Sequence, residues 1–129
     1  VIELFDENIT SYGGEDTELA MRLWETYPDS LRFSSSAGCE HHHPRELSDF
    51  CNLMYNYGKT NLPSLLDQFP QYTSDLGGQW VNSLKGYLLF NPILRWVVSK
   101  IHHLSNNYWL IRYQVIDAVI RGVRSISPR

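Results

Sequence analysis

The run Trp109-Leu110-Ile111-Arg112-Tyr113-Gln114-Val115-Ile116-Asp117, continued by Ala118-Val119-Ile120, decides how this chain is read. A large apolar ring opens it, just after Ser105-Asn106-Asn107, whose polar side chains suit a helix cap. Aliphatic residues then recur three and four apart, the spacing that puts them on one helical face. Upstream, Ser74-Asp75-Leu76-Gly77-Gly78-Gln79-Trp80 follows the same plan, with polar residues and glycines leading into a tryptophan. The two tryptophan segments predict two helices anchored on one core, with a surface between them that another molecule can fill.

Working outward, period-two alternation is nearly absent, so the expected class is all-α. Helix one is expected over about Ile2 to Ser11 and ends at Gly13-Gly14. Helix two is expected over about Asp16 to Ser30, with Leu19, Leu23 and Trp24 as its stripe and Pro28 disturbing its end. Helix three runs from about Pro44 to Tyr57 and is closed by Gly58; helix four runs from about Leu62 to Tyr72, starting near Pro63. Helix five covers Gln79 to Phe90. Asn91-Pro92 then reads as a cap followed by proline at the first helical position, opening a sixth helix to about Leu104. That sixth helix is apolar on more than one face and is expected to be central and buried. A last helix or helix pair runs to about Val123. The expected architecture is a compact bundle of seven or eight helices around a central buried helix pair, in one domain spanning residues 1–129.

Composition agrees with a single folded domain. The 129 residues are 43% hydrophobic and 13% aromatic, enough apolar surface for a real core. The net charge of −3 offers no basic surplus for nucleic acid or for anionic lipid. Charge is uneven along the chain, with Arg112, Arg121, Arg124 and Arg129 crowding the C-terminal end. Two cysteines, Cys39 and Cys51, are too few for a disulfide scaffold and suit a reduced intracellular setting. No apolar run reaches the ~18 residues of a membrane span. The start at Val1, without a signal-peptide pattern, is what a trimmed N-terminus would give.

Residue patterns for chemistry are weak. Cys39-Glu40-His41-His42-His43, with Cys51 downstream, is the one metal candidate. Zinc takes four ligands in a tetrahedron, and three consecutive histidines cannot all face one ion without strain. An exposed polar loop between about Ser34 and Pro44 is therefore expected, with no metal and no cofactor. A cysteine nucleophile would need an orienting acid and an oxyanion hole, and neither is visible. Gly77-Gly78 lacks the lysine and preceding strand of a phosphate loop. Asp117, inside an apolar segment, is expected to cap a helix or to pair with a nearby arginine. No catalytic residue is assigned.

The tryptophan segments also resemble a known family. Trp109-Leu110-Ile111-Arg112 followed by Ile116-Asp117-Ala118-Val119-Ile120 is similar to the second homology motif of Bcl-2 proteins. Ser74-Asp75, followed at the family's spacing by Gln79-Trp80, resembles the first homology motif, and Asn91-Pro92-Ile93-Leu94 the start of the family's sixth helix. Glu3-Leu4-Phe5 echoes its first helix. These islands cover about a third of the chain. Where pro-survival members keep Gly-Arg after the first tryptophan, this chain has Val81-Asn82. The segment around Leu19 to Pro28 scarcely resembles a BH3 motif, and the short segment between helices five and six, with no regulatory loop and no tail, is similar to divergent viral members.

The resemblance implies an apoptosis inhibitor that holds the BH3 helix of Bim-, Bak- or Bax-like pro-apoptotic proteins in a hydrophobic groove. It implies a cytoplasmic chain, peripheral at mitochondria. Alignment with the family puts Phe69, Tyr72, Gln79, Asn82 and Leu89 on that groove, with Lys85 as a substitute for the missing arginine. Phe50 and Met54 join from helical spacing, where plain core packing is the alternative. Trp80, Trp109 and Asp117 are assigned to the scaffold, with burial of either tryptophan contributing roughly 3 kcal/mol. An open apolar groove is a liability that homodimerisation would hide. The competing expectation is a helical interaction or structural module, such as a viral accessory protein, that binds no BH3 helix.

Overall fold

The computed structural model describes residues 4–29, 32, 34–40, 42, 45–102, 105 and 107–126. These residues form five α-helices and two 3-10 turns, with no strand among them. The helices are α1 (Glu15–Thr26), α2 (Leu47–Gln68), α3 (Leu84–Leu89), α4 (Pro92–His102) and α5 (Tyr108–Ile126). The 3-10 turns are Pro70–Tyr72 and Gly78–Trp80. The all-α expectation stands at this level.

The central pair is α2 and α5. Cys51 of α2 lies by Asp117 and Arg121 of α5, Gly58 by Val119, and Leu62 by Val123, so the two helices run in the same sense. Two glycines set their separation. A Cβ on Gly58 would lie 2.1 Å from the Val119 carbonyl oxygen, and one on Gly122 would lie 2.1 Å from that of Tyr55. No other residue type permits backbones this close. The core gathers beside the contact, with Leu62, Val81 and Val123 buried together and Tyr57, Leu66, Leu76 and Val119 packed on them.

Several expected elements differ. Residues 4–14 form turns and bends where helix one was expected; its start at Ile2 lies outside the described residues. Asn61 anchors this stretch: its amide donates to the carbonyls of Gly13 (2.6 Å) and Ser11 (3.0 Å), and its oxygen accepts from Ser11 Oγ (2.8 Å). Helix two shortens to α1, which ends before Pro28; its expected end at Ser30 lies outside the described residues. Helices three and four fuse into the 22-residue α2, which passes through both Gly58 and Pro63. Gly58, Leu62, Leu65 and Phe69 lie three or four apart and are all buried, so one continuous face offsets the bond and clash that an interior proline costs, about 3 kcal/mol. The expected start of helix three at Pro44 lies outside the described residues.

Helix five breaks in two. Ser83, with extended backbone, caps α3 by accepting from the Gly86 amide at 3.1 Å. A Cβ on Gly86 would lie 1.8 Å from the Trp80 carbonyl oxygen, so the chain folds back on itself here. Asn91 caps α4 through Leu94 N (2.9 Å), with Pro92 at the first helical position, as the sequence indicates. Yet α4 is not central: only Val98 is buried, while Ile93 is 77% and Trp96 64% exposed. Its apolar second face is turned to solvent. The expected end of that helix at Leu104 lies outside the described residues.

Candidate functional site

The chain between the two tryptophan segments is held by side chains of α5. Arg124, near the end of α5, donates to three carbonyl oxygens: Val81 at 2.8 Å, Phe90 at 2.9 Å and Trp80 at 3.2 Å. Its guanidinium also lies over the Tyr87 ring, 4.0 Å from the centroid. A planar group with five donors suits this convergence, which lysine could not reproduce. Tyr113 adds a second tie, donating to the Leu89 carbonyl at 2.9 Å while stacking on Phe90 at 5.5 Å. Burial and the nearby Asp117 raise the Tyr113 pKa, with Arg95 opposing, so the phenol keeps the proton it donates. Phe90 in turn meets Trp80 edge-on at 6.4 Å.

These ties shape an apolar cleft of about 510 Å³ between α2, the Ser74–Val81 loop, the end of α3 and α5. Its walls include Trp80, Val81, Leu89 and Phe90 on one side and Val115, Ile116 and Val119 on the other. Tyr57 and Leu62 of the core close the floor. Ser74, Asp75 and Arg112 supply the polar lining. Arg112 is exposed, and its guanidinium lies 5.7 Å from the centre of the Trp109 ring. The cleft is within the size range of protein sites that receive apolar groups. It offers one cation and one carboxylate beside an apolar wall.

The residues assigned from sequence do not converge on one groove. Leu89 lines the cleft, as does Trp80, which is half-buried. Gln79, Asn82 and Lys85 are exposed and outside its lining. Phe69 is 3% exposed and belongs to the core, packed on Tyr72 with ring centres 6.4 Å apart. Tyr72 lines a different concavity, with Ala20, Met21 and Trp24 of α1. Phe50 and Met54 are half-buried on the first half of α2, away from the cleft lining. Fusion of the two expected helices into α2 removes the angle between them that would have formed a groove wall. Trp109 is 67% exposed, against its expected burial, because it opens α5 before that helix meets the core; its ring contacts Tyr108 edge-on. The cleft cation is Arg112 rather than Lys85. The spacing Arg112, Val115, Ile116, Val119 places it at the head of an apolar stripe, a signal present in the sequence.

A second, polar cavity of about 620 Å³ opens between the start of α2, the middle of α5 and the side of α4 that carries Arg95, Ser99 and His102. Asp117, 1% exposed, lies on its wall. It accepts from Arg95 Nε (2.6 Å) and Nη2 (3.1 Å) and from Arg121 Nε (3.1 Å). Pairing with a nearby arginine was expected; the partner across from α4 was not. Cys51 also lines this cavity. Burial pushes its thiol pKa up, Arg121 pulls it back, and Asp117 raises it again. The net direction is away from a reactive thiolate. With its acid held by two arginines and its thiol protonated, the cluster has the chemistry of a structural tie between α4 and α5.

In the loop, Cys39 is exposed and His42 faces Glu40 at 3.2 Å with both side chains in solvent, while His41 and His43 lie outside the described residues. Among the described residues no cluster of His, Cys, Asp or Glu is placed to hold a metal, and no helix is long and apolar enough to cross a membrane. Comparison of the chain with known protein families, characterised proteins and solved structures finds no match.

Proposed function

We propose that this protein is a binding module that seats an amphipathic helix of a partner in the Trp80–Arg112 cleft. The observation that carries this reading is the meeting of both tryptophan segments on one apolar cleft with Arg112 on its lining. Helix-in-groove recognition uses apolar anchors for affinity and a charge for register, and the cleft offers both. The resemblance to Bcl-2 proteins makes a BH3 helix of a Bim-, Bak- or Bax-like protein the first ligand to test, and sequestration of it the biological effect. In that pairing Arg112 meets the aspartate of the BH3 helix, the task that the family gives to the arginine missing at Asn82.

Titration calorimetry with a panel of BH3 peptides tests this directly. Peptide binding is expected, and Arg112→Glu is expected to weaken it about tenfold or more, as loss of a close charge pair does. A peptide whose aspartate is replaced by arginine should recover affinity for the Arg112→Glu chain. No binding from any peptide sinks the BH3 assignment. One observation favours a second reading: α2 is a single helix, with Phe50 and Met54 away from the cleft. A helical interaction module with a different amphipathic ligand fits that geometry, and it is what remains when every BH3 peptide fails.

A further inference from the structure

Whole-chain charge conceals a sharp division. Thirteen of the fourteen acidic residues precede residue 76, and seven of the eleven lysines and arginines follow it. From Leu76 to Ile116 there is no Asp or Glu at all, while Lys85, Arg95, Lys100 and Arg112 fall within that stretch. The same stretch carries most of the large apolar side chains left in solvent, including Leu84, Leu88, Ile93, Trp96 and Ile101.

The helical geometry puts these on one side of α4. Arg95 and Val98 point inward, to Asp117 and the interior. Ile93, Trp96, Val97, Lys100 and Ile101 fall on the opposite side at spacings of three and four. Leu88, at the end of α3, joins Ile93 and Val97 in a shallow apolar trough of about 530 Å³. Leu84 lies one turn before Leu88 on α3, beside Lys85. Among the described residues neither Lys85 nor Lys100 makes an ion pair.

We propose that this α3–α4 face docks on an anionic lipid surface. Aliphatic side chains and a tryptophan flanked by lysines, with no acid on either helix, form the pattern that inserts at a headgroup boundary and is drawn there by negative lipid. A nucleic acid would satisfy the lysines and leave Leu88 and Ile93 unused. A two-fold dimer through this face would set the same unpaired lysines near one another, with no acid on α3 or α4 to neutralise them. The face shares no residue with the cleft lining, so it stands or falls apart from the helix-binding reading.

Cosedimentation of the full chain with phosphatidylcholine vesicles, and with vesicles of equal phosphatidylcholine and phosphatidylserine, decides the matter. Binding is expected to the mixed vesicles only and to weaken as salt rises. The double variant Lys85→Glu with Lys100→Glu should reduce it by about tenfold or more, and Ile93→Ser with Trp96→Ser should abolish it. Lys59→Glu, on exposed α2 surface, should leave it unchanged. All these positions are exposed, and a matching circular dichroism melt verifies that each variant folds. Equal binding to neutral vesicles, binding to neither, or indifference to both double variants overturns the proposal. So does sedimentation showing a dimer that Ile93→Ser with Trp96→Ser dissolves while vesicles bind nothing.

Discussion

In the α2–α5 seam, Gly58 and Gly122 bring two backbones into contact and Asp117 is buried under two arginines; in the arm from Trp80 to His102, three leucines, two isoleucines and a tryptophan remain in solvent. Both regions are rich in apolar residues at helical spacing. The difference is what each helix has to pack against. The seam is a helix on a helix, with side chains small enough at the crossing for ridges to close. The arm buries few of its own side chains, chiefly Val81 and Val98, and is held from α5 instead, by Arg124 and Tyr113 at its backbone carbonyls and by the Asp117 carboxylate at Arg95. The arm is therefore held in place while its outer face stays available to a partner.

The sharpest way to break this contrast is at the crossing. Gly58→Val places side-chain atoms against the Val119 backbone, which cannot yield as a side chain could. The two helices must separate, and a loss of about 3 kcal/mol or more is expected, at the upper end of overpacking costs. Urea unfolding measures it; a loss near zero would show that α2 and α5 are not in contact there. Next in size is Asp117→Ala. It removes the acid from a cluster whose two arginines are 32% and 41% exposed, so they rehydrate in part. The expected cost is about 3 kcal/mol at most. Arg95→Ala should cost no less, because it leaves the carboxylate buried with Arg121 alone. If Arg95→Ala proves neutral, α4 is not tied to α5 through this cluster.

Local signals carried the fold where chemistry within a few residues decides it. The Asn91-Pro92 start of α4, the proline that α1 stops short of, and the apolar period of α5 can all be seen in the sequence. Gly58 and Pro63 misled for the opposite reason. As isolated letters they are helix breakers, but at the seam glycine is what close approach requires, and the proline is carried by the buried face around it. The candidate site divides the same way. Arg112 stands at the head of a legible stripe. The convergence of Trp80, Val81 and Phe90 on Arg124 joins residues 34 to 44 positions apart, and no local pattern encodes it. The exposure of Ile93 and Trp96 is equally hidden, since a helix that is apolar on two faces reads as buried until its neighbours are known.

The two tryptophans provide the smallest and most discriminating test. As residue types at similar helix starts they predict equal contributions, roughly 3 kcal/mol each. Their surroundings separate them. Trp80 is half-buried, lies on the cleft wall and meets Phe90 edge-on, so Trp80→Ala should cost about 2 kcal/mol, below the range for a fully buried ring. Trp109 is mostly in solvent and loses little beyond its contacts with Arg112 and Tyr108, so Trp109→Ala should cost under about 1 kcal/mol. Equal losses in urea unfolding would mean that Trp109 is covered in solution and that the arm is more enclosed than its exposed side chains indicate. A near-neutral Trp109→Ala that nonetheless weakens peptide binding would assign the ring to the partner's side of the cleft, since Trp109 underlies the guanidinium of Arg112.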